Sequence, residues 1–190
     1  MEADWEVEIG AGAAVVEPEW AGFVDLRQRP QAAGQLPEAA ALPGLAQVLV
    51  RLNAEDSPVW TAKCDVWQMD GFDPLELDTE SAGDQRCIAC YVDMLPREDA
   101  KWGAHADAVE WCRLACGRLH AIALRGCRVD LVIRAAALAA ERTGIAVTAY
   151  VCAAGIDSPA AQRRLAQALA ALADTLVQSA WPRESAKKLQ

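Results

Sequence analysis

Hydrophobic and polar residues alternate at the start of the chain: Trp5, Val7 and Ile9 are interleaved with Glu6 and Glu8. This two-residue period predicts a strand with one buried side. Phe23-Val24-Asp25-Leu26 predicts a second short strand, and residues 28–34 a loop. The period then changes. Leu45, Val48, Leu49 and Leu52 recur at helical spacing, and Pro43 suits a first turn, where its missing N–H costs nothing. Asn53 and the Glu55-Asp56-Ser57-Pro58 cluster end this helix. Residues 36–42 add a turn before it.

Strand period returns over residues 59–69, with Trp60, Ala62, Cys64 and Val66 on one side and Thr61, Lys63, Asp65 and Trp67 on the other. Residues 70–84 form a polar connection. Residues 86–95 are nearly all apolar, as in a central strand, and Pro96 stops them. A long helix is predicted over 99–122, with Asp99 as its cap and a stripe of His105, Ala108, Cys112, Ala115, Cys116, Leu119 and Ile122. Trp102 joins that stripe. Trp111 and Leu114 lie off it, and the N-terminal segment is expected to cover Trp111. Strands follow over 127–134 and 145–152, separated by a helical turn or long loop at 135–144. The last helix has Asp157 or Ser158 as its cap, Pro159 in its first turn, and Leu165, Leu169, Leu172 and Leu176 as its stripe. Trp181-Pro182 ends it.

Strands arriving in pairs favour antiparallel neighbours over helical crossovers. The expected fold is therefore α+β: a two-layer sandwich, mainly antiparallel, with about three amphipathic helices on one sheet face. The expected organisation is an N-terminal segment (1–35) packing on an α+β domain (36–180), followed by a mobile tail (181–190).

Composition narrows the function classes. The chain has 190 residues, 53% of them hydrophobic, which is ample for one core. The formal charge of −9 and the absence of a Lys/Arg-rich run argue against nucleic acid, whose phosphates need cations, and against anionic membranes. The first five residues carry neither the basic region nor the apolar run of a secretory signal. Seven cysteines then read as reduced thiols, and the expected location is cytoplasmic.

Candidate chemistry is sparse. Residues 9–15, Ile-Gly-Ala-Gly-Ala-Ala-Val, lack the third small residue and the helix of a dinucleotide loop. Cys87 and Cys90 form a CxxC, but residues three apart in a strand point to opposite faces. Cys112, Cys116 and His120 share a helix face without a fourth zinc ligand. His120 with Cys116, or His105 with Cys112, lacks a third group to orient the imidazole. No cofactor, metal or catalytic residue is assigned.

The informative feature is the second side of the strands. Lys63, Asp65, Trp67, Tyr91, Asp93, Arg128, Asp130, Arg134 and Tyr150 are expected to gather on the sheet face away from the helices, with Ala89 and Thr148 among them. A merely solvated face with cross-strand ion pairs is one reading. The other is a contact surface, since recognition surfaces are enriched in aromatics and Arg. The best functional expectation is a non-enzymatic interaction protein using this face, as a homodimer or with a protein partner. Over roughly residues 43–178 the element order resembles the class I type III secretion chaperones, small acidic α/β dimers that hold an extended effector segment. The alternative is a small-molecule enzyme or binder. There Lys63 with Arg128 or Arg134 would hold an anion, and Asp65, Asp93 or Asp130 would act as acid or base.

Overall fold

A computed structural model describes residues 1–8, 15–16, 22–73, 76–77, 79, 86–97, 105–138 and 142–178. Its strands are β1 (Glu2–Val7), β2 (Val15–Val16), β3 (Val59–Met69), β4 (Arg86–Pro96), β5 (Cys127–Leu138) and β6 (Arg142–Gly155). Its helices are α1 (Pro37–Ala41), α2 (Leu45–Asn53), α3 (His105–His120) and α4 (Ser158–Gln178), with a 3-10 turn at Pro30–Gln35. The strands form one sheet in the order β1-β5-β6-β4-β3, and β2 continues the β1 edge beside β5. β1 and β2 run parallel to β5, and every other pairing is antiparallel. The α+β sandwich expected from the pattern is the fold observed.

One face of the sheet packs under α2, α3 and α4. Leu49 and Leu52 of α2, Trp111 and Leu119 of α3, and Leu169 and Leu172 of α4 meet Val92, Val129, Leu131, Val147 and Ala149 in a single core. Trp111 is fully buried there. Asp157 caps α4, its carboxylate accepting the Ala160 N–H at 2.7 Å. Where β6 meets α4, a Cβ on Gly155 would lie 2.4 Å from the Ala161 nitrogen. Only glycine lets these backbones approach so closely.

Five expectations need correction. Residues 23–26 form no strand. The Asp25 carbonyl accepts the Gln28 and Arg29 N–H groups and its carboxylate holds Arg27, so the chain turns. The expected loop at 28–34 contains the 3-10 turn instead. Pro43 lies outside α2, because Leu45 N–H bonds to Leu42 O and Gly44 adopts φ 96°, the geometry of a Pro-Gly type II turn. The separator at 135–144 is mostly strand: β5 runs on to Leu138 and β6 begins at Arg142. Pairing with β6 overrides the helix propensity of Ala135, Ala136 and Ala137. The Asp99 cap, Trp102, the Gly/Ala-rich run at 9–14 and the tail from 179 lie outside the described residues.

The fifth correction concerns faces. The pairing of β3 with β4 shifts between Thr61 and Lys63, leaving Ala62 as an extra residue. A bulge of this kind reverses the alternation before it. Trp60 therefore joins the helix-free face, packed with Ala62, Leu95, Ala136 and Ala146. Thr61 turns to the helical side, where Asn53 of α2 receives it.

Both outer strands turn a carboxylate onto their own backbone. Asp4 accepts the Trp5 N–H at 2.8 Å on β1, and Asp65 accepts the Val66 N–H at 2.7 Å on β3. Donors occupied in this way are not offered to an incoming strand.

Candidate functional site

The helix-free face is walled at both strand ends. At one end the Trp60, Ala62, Leu95, Ala136 and Ala146 cluster is packed by Phe23, and the Arg27 guanidinium lies 3.9 Å from the Trp60 ring centroid. At the other, Leu77 covers Cys87 and Ala154, flanked by Met69, Phe72 and Cys152. Between the walls runs a trough perpendicular to the strands.

Strand register sets its floor in rows. One row is Glu2, Arg128, Cys152, Ala89, Trp67. The next is Asp4, Asp130, Tyr150, Tyr91, Asp65. The third is Glu6, Val132, Thr148, Asp93, Lys63. Arg134 follows Val132 by two positions on β5, on the same face. The nine residues singled out from sequence thus lie on one face and within neighbouring rows. Sequence alone did not assign the acidic β1 side of the trough. Glu2, Asp4, Glu6 and Glu8 alternate visibly, but their parallel neighbour is far along the chain.

The aromatics form a line. Trp67 and Tyr91 have ring centroids 6.1 Å apart, and Tyr91 and Tyr150 6.0 Å, both pairs tilted. The three cations are already engaged. Arg128 clamps Asp130 through contacts of 2.8 and 2.9 Å, and Arg134 Nε lies 2.7 Å from the Glu8 carboxylate. Arg134 and Lys63 also lie over rings, 5.6 Å from that of Tyr150 and 5.9 Å from that of Tyr91. Burial pushes the Asp93 carboxyl up, although Thr148 donates to it at 2.5 Å and Arg134 and Lys63 act the other way. Burial also raises the Tyr91 hydroxyl, while the hydrogen bond to Tyr91 raises Lys63. A hollow of about 370 Å³ lies at the β1–β5–β6 end among Asp4, Glu6, Arg128, Asp130, Arg134 and Tyr150.

No known protein family, curated protein or solved structure matches this chain. The resemblance in element order to the secretion chaperones is thus not accompanied by a match to any solved structure.

The other candidates fall apart physically. Cys90 lies in the helical core while Cys87 faces the trough, so the CxxC thiols diverge. Cys112 and Cys116 are buried, and burial pushes the Cys116 thiol up to about 12 and Cys112 higher still. His120 Nε2 accepts the Ala3 N–H at 3.3 Å, which ties it to β1. The His105 side chain is outside the described residues. Among the described residues no group of three or more His, Cys, Asp or Glu could hold a metal, and no helix is long and apolar enough to cross a membrane.

Proposed function

We propose that this chain is a non-enzymatic interaction protein that holds a basic, extended polypeptide segment in the trough. One observation carries the reading: Arg128 and Arg134 are neutralised by Asp130 and Glu8, and Lys63 stands beside Asp93, so the surface left for a ligand is acidic and aromatic. In the three rows with Glu8 and Arg134 there are seven carboxyl groups and three cations. Such a surface attracts Lys and Arg side chains, and the half-exposed Trp67 ring adds cation–π attraction. Five strands about 4.8 Å apart give a trough of about 19 Å, enough for roughly six extended residues. The two arginines are committed to carboxylates, which disfavours the anion-holding alternative. A second copy of the same acidic trough would meet like charge, which disfavours face-to-face self-association.

Fluorescence anisotropy with a labelled six-residue arginine peptide, and a six-glutamate control, tests this. Wild type is expected to bind only the basic peptide, and W67A and D65N to weaken it several-fold. D174N and E55Q, changed outside the trough, are expected to bind as wild type. Equal binding by all four variants would overturn the proposal. So would a wild-type dimer that W67D or R128E converts to monomer, because the trough would then belong to the homodimer.

A further inference from the structure

Three sulfur atoms converge at the Leu77-covered end of the trough. Met69 and Cys87 are direct partners across β3 and β4, and Cys87 Sγ lies 3.7 Å from Met69 Sδ. Cys152 pairs with Ala89, one step along the same face, and packs against the cluster of Leu77, Cys87 and Ala154. Leu77, Ala154 and Phe72 enclose the group, while Met69 and Cys152 remain only half-buried. Solvent therefore reaches the sulfurs at Met69 and Cys152. We propose that Cys87, Cys152 and Met69 form a three-sulfur site for a cuprous ion. This does not rest on the reading of the trough as a peptide site.

The ligand set selects the ion. Thiolate and thioether sulfur favour soft Cu(I), whereas structural zinc takes four ligands, with no thioether among its usual ones. A metal–sulfur bond of about 2.3 Å in trigonal coordination places the sulfurs about 4 Å apart. That is close to the 3.7 Å already present between Cys87 and Met69. A disulfide fits less well. Cys87 and Cys152 are diagonal in the register, about 7–8 Å between Cα atoms in an antiparallel sheet, beyond the usual disulfide span. Binding replaces the thiol protons of Cys87 and Cys152 with the metal and releases them to solvent; no oxidation occurs.

Anaerobic titration of the reduced protein with Cu(I), against the chromogenic chelator bicinchoninate, is the first measurement. Copper-edge X-ray absorption on the loaded wild type is the second. One Cu(I) per chain with a three-sulfur shell is expected. Removing an outer-shell partner typically weakens a metal site up to about 100-fold, so C87S or C152S, which removes a ligand, is expected to cost at least that. M69L is expected to leave a two-sulfur shell, and C112S/C116S to change neither readout. A wild type that binds no tighter than C87S/C152S overturns the site, as does a three-sulfur shell that persists in M69L. The absorption measurement on wild type stands even if a variant fails to fold.

Discussion

Asn53 and Thr61 are joined twice across the start of the sheet. The Asn53 amide donates to Thr61 Oγ1 at 2.7 Å, and its carbonyl oxygen accepts the Thr61 N–H at 3.1 Å. Both residues are buried, so N53A would strand two polar groups without water. The expected loss is about 2–3 kcal/mol, read as a lower urea midpoint with unchanged m-value. Because this pair holds Thr61 on the helical side of the bulge, hydrogen exchange at the start of β3 should quicken in the same variant.

Gly155 tests the close approach of β6 to α4. An alanine Cβ there would press on the Ala160 and Ala161 backbone rather than on a yielding side chain. G155A is expected to lose about 1–3 kcal/mol by thermal or chemical unfolding. Preserved stability would mean that the two backbones part at no cost.

Much of this architecture was legible in the alternation. Lys63, Asp65 and Trp67 could be placed together because a strand's side chains alternate, and Arg128, Asp130 and Arg134 followed the same rule. Trp60 and Thr61 defeated it, because one unpaired residue reverses parity and leaves no mark in composition. The walls of the trough were equally hidden. Phe23 and Leu77 arrive from irregular segments with no period to read. Cys152 could not be joined to Cys87 without knowing that β6 lies beside β4. Along the chain the cysteine nearest Cys87 is Cys90, which lies on the opposite face of the sheet.

Asp93 is expected to give stability a distinctive pH dependence. Its carboxyl is raised from the ordinary 3.8 by burial, so the folded chain holds that proton more tightly than the unfolded one. The resulting stabilisation is fully present below 3.8 and is lost as pH rises through the raised value. D93N keeps an oxygen to accept the Thr148 hydroxyl but cannot ionise. Denaturation across the carboxylate range should show D93N gaining on wild type as pH rises. A constant difference would remove the burial account of this residue.

Asp4 and Asp130 stand opposite one another on parallel strands, and Arg128 neutralises the second. The Arg128 and Asp130 side chains are 31% and 34% exposed, so solvent screens the pair and R128A should cost no more than about 1 kcal/mol. In an R128A background, D4N should recover part of that loss by removing the like charge. A double-mutant cycle between the two positions measures the coupling, which should shrink in high salt. Additive effects would show that the carboxylates do not sense each other.

The pairing of β1 with β5 has a consequence for biosynthesis. A ribosome releases residues 2–7 well before their sheet neighbour, residues 128–133, which emerges on the order of ten seconds later at translation rates of about 5–20 residues per second. Through that interval Trp5 and Val7 have no strand to lie beside. The nascent polypeptide must carry this ribbon unpaired while β3, β4 and the helices α1, α2 and α3 are made. Chaperone capture during synthesis would act on this ribbon.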